Sequence, residues 1–260
     1  MWKLITSPPL SPMTSLEPLF CSIDDFCQVF EPQWQQQLLV SKQRQRRRPR
    51  SLSLSEIMTI LITFDQSHYR HFKYFYLINV RHHWRRAFPR AVSYQRFVEW
   101  MPSTLVPLCI YLRHCYGQCT GISFIDATSI KVCHNRCIVK VTPGNTDDRK
   151  PVVELLKELS GKVFADKGYV SQALAQYLQE EYDVRLLAKP RRNMKNHLML
   201  WRDKVFARKR ALIETVIDQL KNISQIEHSR HRSPANFCVN LLCGLIAYCH
   251  QPKKPSLQLD

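Results

Sequence analysis

An α/β core preceded by an all-helical N-terminal half is the fold class this sequence predicts, and three observations predict it. Up to about residue 118 the apolar residues recur at helical spacing. After Gly121, short β-branched and aromatic runs alternate with helical stretches, the order that builds a sheet layered with helices. Three carboxylates, Asp126, Asp166 and Glu214, fall within that second half. The first two belong to β-rich apolar runs and the third to a basic amphipathic helix.

Taken in order, residues 1–12 are rich in Pro and Ser and read as an unstructured leader, with Met13 available as a start. Leu16, Leu19, Phe20, Ile23, Cys27 and Phe30 are helically spaced. Lys42, Arg44, Arg46, Arg47, Arg48 and Arg50 then crowd six cations into nine residues. Such a run is either a solvated linker or a direct phosphate contact, and the two are compatible. Ser53-Leu-Ser-Glu56 reads as a capping box opening a helix through Ile57, Ile60, Leu61 and Phe64. Next, aromatics interleave with cations over 68–76 and 82–90, where the helical spacing of Phe72, Phe75 and Tyr76 favours core over base stacking. Ser93 to Met101 and Leu105 to Cys115 complete a helical domain, 13–118, with the basic linker at 42–50.

Segment 119–260 then reads as the α/β domain. Strands are predicted at Ile122 to Val132, Lys162 to Ala165 and Val184 to Ala188. Helices are predicted at Asp148 to Leu159, Ser171 to Glu181, Val205 to Ile223 and Pro234 to Cys249. In the third of these, Arg210, Glu214 and Lys221 share one stripe, while Leu212, Val216, Leu220 and Ile223 form a separate apolar one.

Charge and composition narrow the function. Lys and Arg outnumber Asp and Glu 38 to 21, a formal charge of +17 that attracts phosphate. Ten scattered cysteines without a secretory segment indicate reduced, cytoplasmic thiols, and three prolines interrupt the run from Met1 to Ser15. The longest apolar stretch, Phe237 to Cys249, is too short to span a bilayer and contains Asn240. A cytoplasmic protein with no membrane partner is expected.

An ionised carboxylate amid an apolar strand is costly unless paired or metal-bound, which singles out Asp126. Gly168 lets the chain turn sharply after Asp166. Hard carboxylate oxygens gathered from sheet and helix suit Mg²⁺ held against phosphate. Asp147 and Asp148 are rivals, but their turn context, after Pro143-Gly-Asn145, favours helix capping. Arg210 and Glu214 alone would be an ordinary i,i+4 pair. Zinc at Cys109, His114, Cys115 and Cys119, or at Cys133, His134 and Cys137, is a weaker reading because no paired CxxC unit exists.

The chain resembles bacterial insertion-sequence transposases of the DDE type, in particular the nine-eighty-two family. The similar stretches are Leu16 to Phe30, Ser53 to Phe64, Ser93 to Ser103, Ile122 to Arg136, Thr142 to Val152, Gly161 to Ser171 and Lys204 to Lys254. Sharpest are Phe124-Ile-Asp-Ala-Thr-Ser129, Thr142-Pro-Gly-Asn-Thr-Asp-Asp-Arg149 and Arg210-x3-Glu214-x6-Lys221. The last matches the Y-x2-R-x3-E-x6-K signature, with Ala207 in place of Tyr.

The resemblance implies an RNase H-like core in which Asp126, Asp166 and Glu214 bind two Mg²⁺ or Mn²⁺ ions. It implies cutting and joining of double-stranded DNA at terminal inverted repeats and target sites, by a homo-oligomer on DNA. Arg210 and Lys221 would be DNA-backbone contacts beside the site. One departure stands out: family members carry a longer segment between the Cys133-His-Asn-Arg136 stretch and the Thr142-Pro-Gly turn. Here Asp126 and Asp166 are only 40 residues apart, room for about two short strands where the fold needs three. An internal deletion and an incomplete sheet are expected, with transposase activity impaired. The alternative is a non-catalytic DNA-binding protein derived from a transposase.

Overall fold

The computed structural model describes residues 16–40, 50–67, 69–116, 121–126, 142, 146–189, 200–224, 226, 233–252 and 254. The fold is mixed α/β, mostly helical, with a small three-stranded parallel sheet. Two compact units divide the chain, one of residues 1–114 with 224–252 and the other of 115–223 with 253–260.

In the first unit, α1 (Leu16–Val40) buries Leu19, Ile23, Cys27 and Phe30 along one stripe and continues through Pro32 to Val40. Helix α2 (Leu54–Gln66) lies at the centre of this unit and buries residues nearly all round, Ile57 through Thr63 included. Its capping box is complete: Glu56 donates its backbone N–H to Ser53 Oγ at 3.1 Å, and its carboxylate accepts from Ser53 N at 2.7 Å. The buried hydroxyls of Thr59 and Thr63 donate to the carbonyls four residues back, so neither is left unpaired.

Helix α3 (Phe72–Phe75) runs into a π-helix, Tyr76–His83, which the sequence pattern does not signal. Phe75 and Tyr76 are core and Phe72 is half-buried against them. Helices α4 (Tyr94–Trp100) and α5 (Leu105–His114) follow, joined by a 3₁₀ turn.

The second unit carries β1 (Ile122–Ile125), α6 (Val152–Leu156), β2 (Gly161–Ala165), α7 (Gln172–Tyr182), β3 (Val184–Ala188), α8 (Trp201–Lys209) and α9 (Ala211–Asn222). The strands are parallel in the order β1-β2-β3, with Phe124 opposite Phe164 and Ile125 opposite Ala165. Alternation splits the side chains between two faces. On one face Ile125, Val163 and Ala165 pack with Val152, Leu155 and Leu156 of α6 and Leu178 of α7. On the other, Phe124 meets Phe164 at 5.8 Å between ring centroids, and Phe164 meets Phe206 of α8 at 5.7 Å. Gly161, at φ +90, lies against the Gly121 backbone, and a Cβ there would collide with the Gly121 carbonyl.

Several boundaries differ from the sequence reading. The predicted helix Asp148 to Leu159 shrinks to α6, because Asp147 closes a turn instead of capping a helix and Pro151 precedes Val152. The predicted single helix over 205–223 is two, α8 and α9, divided at Arg210, whose backbone stays helical (φ −53, ψ −30). The buried stripe of α9 is Ile213, Val216, Ile217 and Leu220, so Leu212 and Ile223 are replaced by their neighbours. The antiparallel strands expected after Asp126 fall largely on 127–141, outside the described residues.

Helix α10 (Pro234–Cys249) belongs in the sequence reading to the 119–260 segment, but it packs on α2 and α5 of the first unit. Being apolar on most sides, it needs a large apolar surface, and α2 offers one. No helix of the described residues is long and apolar enough to cross a membrane.

One buried group in the first unit yields a pH prediction. Asp65 of α2 is 5 % exposed, its Oδ2 has no hydrogen-bond partner, and burial holds its carboxyl well above the usual range. A raised folded pKa means the proton is held more tightly in the folded state. Stability linked to Asp65 is therefore full below the unfolded value near 4 and is lost as pH rises toward the folded one. Asp65→Asn should match the natural chain in melting temperature at pH 4 and exceed it at pH 8. Each tenfold gain in proton affinity on folding corresponds to about 1.4 kcal/mol of that difference. Equal melting temperatures at both pH values would rule the account out.

Candidate active site

The parallel pairing of β1 and β2 places Asp126 and Asp166 side by side, each one residue past the carboxyl end of its strand. By alternation they continue the side that bears Phe124 and Phe164, the side covered by α8. The carboxyl edge of a parallel sheet is where α/β proteins assemble ligand sites. Asp126 is thus at the strand's edge and 20 % exposed, rather than at the middle of an apolar strand as its sequence context suggests.

Helix α8 is fastened to that face by a pair the sequence does not reveal. Lys162 of β2 donates from Nζ to Asp203 Oδ1 at 2.6 Å, and the Asp203 side chain is only 4 % exposed. The available signal is a lysine inside a strand, on the face of Phe164, with an acidic residue in the first turn of a later helix, α8. With α8 anchored, its C-terminal end delivers Arg210 to the strand ends.

Arg210 gathers the carboxylates. Its Nη1 lies 3.5 Å from Asp126 Oδ2, and its Nη2 lies 3.9 Å from Asp166 Oδ1 and 2.8 Å from Glu214 Oε1. Because Asp166 and Glu214 contact the same nitrogen, their oxygens are at most about 7 Å apart, within reach of ions spaced about 4 Å. Glu214, one turn into α9, accepts the short bond from Arg210, with its side chain 58 % exposed. Arg210 itself is 18 % exposed, and its Nη1 is buried without a hydrogen bond.

Three carboxylates around a single guanidinium place three negative charges against one positive charge, an arrangement that favours a further cation. The donor set, carboxylate oxygen only, is the one hard divalent ions take. The spacing is that of a guanidinium, however: among the described residues no group of three or more acidic, His or Cys side chains is arranged to hold a metal ion.

The remaining sequence candidates are dispersed. Asp147 is engaged by Arg149 through its backbone N–H at 2.9 Å and its guanidinium at 2.6 Å, and these bonds hold the carboxyl well below the usual range. Lys221 lies seven residues after Glu214, in the last turn of α9. Lys42, Arg44, Arg46, Arg47 and Arg48 lie outside the described residues. Arg50, in the first unit, donates to Ser103 Oγ at 2.7 Å and sits over the Trp100 ring, so its guanidinium has an internal role. Cys109 and Cys115 form no disulfide, and the other cysteines of the zinc reading lie outside the described residues.

A family model described as a transposase DDE domain matches residues 137–234. The match contains Asp166, Arg210, Glu214 and Lys221 and begins after Asp126, whose place in the site rests on the geometry. It implies an RNase H-like core and a nuclease and strand-transferase chemistry on DNA, which in that family uses divalent metals. No curated protein and no solved structure matches the chain.

Proposed function

We propose that the chain is a DDE transposase of an insertion sequence, of the nine-eighty-two kind, shortened within its catalytic domain. The observation that carries this is the meeting of Asp126, Asp166 and Glu214 at Arg210, from two strand ends and a helix. Asp126, Asp166 and Glu214 would hold two divalent ions. Bound there, the ions supply Lewis acidity that activates a water or 3′-hydroxyl and steadies the departing oxygen.

The chain's own part is to position and neutralise. β1 and β2 fix the two aspartates relative to each other, α9 brings Glu214, and Arg210 offsets their repulsion. Lys221, on the DNA side of α9 in this reading, steadies the phosphate backbone. The substrate is double-stranded DNA, at terminal inverted repeats and at target sites, engaged by a homo-oligomer.

The short interval from Asp126 to Asp166 weakens this machinery. It leaves too little chain for all the strands that would flank β1 on the side away from β2, and a misplacement near 1 Å can cost about a hundredfold in rate. The unmodified chain should nick supercoiled DNA with Mg²⁺ or Mn²⁺ weakly or not at all. Grafting a family-like strand pair between Arg136 and Thr142 should restore nicking, and Asp166→Asn in the grafted chain should abolish it. Efficient cleavage and strand transfer by the unmodified chain would refute the deletion. A grafted chain that binds DNA without nicking would favour the non-catalytic reading.

A further inference from the structure

The basic run at 42–50 reads in the sequence as a solvated linker or a phosphate contact, and the described residues of the first unit present another cationic surface. The ten residues 81–90 hold four arginines and two histidines, and Arg81, His82, His83, Arg85, Arg86 and Arg90 are all exposed. A buried row four residues apart explains the exposure. Val80 and Phe88 are core, and half-buried Trp84 between them packs edge-on against Phe75 at 5.7 Å and against Phe88 at 6.4 Å. With 80, 84 and 88 turned inward, the residues between them are turned to solvent.

The backbone under these cations is held. Trp84 N–H donates to Asn79 O at 2.7 Å, the i→i−5 bond of a π-helix, and Phe88 N–H donates to Trp84 O at 2.8 Å. Short π segments recur at functional positions. At the far end, Ser51 Oγ donates to Arg90 O at 3.0 Å, so the segment's end is tied to the first residue after the 42–50 run. Ser51 and Arg90 are therefore neighbours, although 39 positions separate them in sequence. Among the described residues, no carboxylate pairs with Arg81, Arg85 or Arg86. Arginines on an ordered backbone, with no acidic partner, suit bidentate contact with phosphates.

We propose that Arg81, Arg85 and Arg86 form a contact surface for the sugar-phosphate backbone of double-stranded DNA. This rests on the transposase reading for the choice of DNA as the polyanion. The surface reads no bases: it adds affinity and orientation, and its contribution is salt-dependent.

The test compares the full chain with the triple variant Arg81→Ala, Arg85→Ala, Arg86→Ala on a random-sequence duplex between about 0.05 and 0.2 M salt. Three lost phosphate contacts should flatten the slope of log K against log salt by about three and weaken binding a few hundredfold near 0.1 M salt, roughly eightfold per contact. The triple Arg→Lys variant should keep the natural slope. Both variants should keep the natural melting temperature, since the changed side chains are exposed; an alanine variant that unfolds leaves the comparison to Arg→Glu at each position singly, each weakening binding further than Arg→Lys. An unchanged slope in the alanine variant overturns the proposal. So does arginine-dependent retention of polyglutamate but not of duplex, which would assign the surface to an acidic protein. Asp166→Asn should bind with the natural slope, so a failure of nicking leaves this surface standing, whereas a natural chain that binds no DNA removes both readings.

Discussion

Lys162→Met should destabilise the second unit by about 2–3 kcal/mol, an effect larger than a surface ion pair gives. Removing one partner of a buried pair leaves the other charge without compensation, a loss of about 3–5 kcal/mol in fully buried cases. The partner left behind here is Asp203, at 4 % exposure, while Lys162 itself is about a third exposed, which lowers the expected figure. For a unit of this size the transition should fall by roughly 10–20 °C. The double change Lys162→Met with Asp203→Leu should recover most of the loss, since an apolar pair can fill the same space. Differential scanning calorimetry on the three chains decides it. A loss below about 0.5 kcal/mol, the range of exposed pairs, would mean that α8 is held by Phe206 and its neighbours alone.

That pair also shows where sequence reasoning reaches its limit. The capping box at Ser53, the strands at Gly161 and Val184, and α10 from Pro234 to Cys249 are legible because each depends on local chemistry: a cap, a period, a proline at a first turn. Asp166 at the end of its apolar run is legible in the same way, whereas Asp126, read amid a strand, lies just past the end of β1. What is not legible depends on partners distant in sequence. Lys162 and Asp203 are joined across 41 positions, and no local pattern marks them as a pair. The interruption at Arg210 is hidden because the helical period runs through it. Likewise α10 has a plain helical pattern, but periodicity does not say which unit it will cover.

Arg210 reads in the sequence as a DNA contact, and in the fold it faces acidic groups instead. The two roles are reconcilable if the guanidinium is the counter-charge of the metal-free site and turns to phosphate when divalent ions replace it. Arg210→Ala then should lower stability without metal, because the three carboxylates lose their shared partner, and should enlarge the stabilisation by Mg²⁺.

The central claim is that Asp126, Asp166 and Glu214 form one divalent-ion site, and thermal melting across a Mg²⁺ titration tests it most directly. Binding to the folded chain alone should raise stability by about 2.7 kcal/mol at a hundredfold excess over Kd. The natural chain should therefore melt several degrees higher in saturating Mg²⁺, Arg210→Ala should gain more, and Asp126→Asn should gain nothing. A melting temperature indifferent to Mg²⁺ in both the natural chain and Arg210→Ala, or an undiminished gain in Asp126→Asn, would contradict the account.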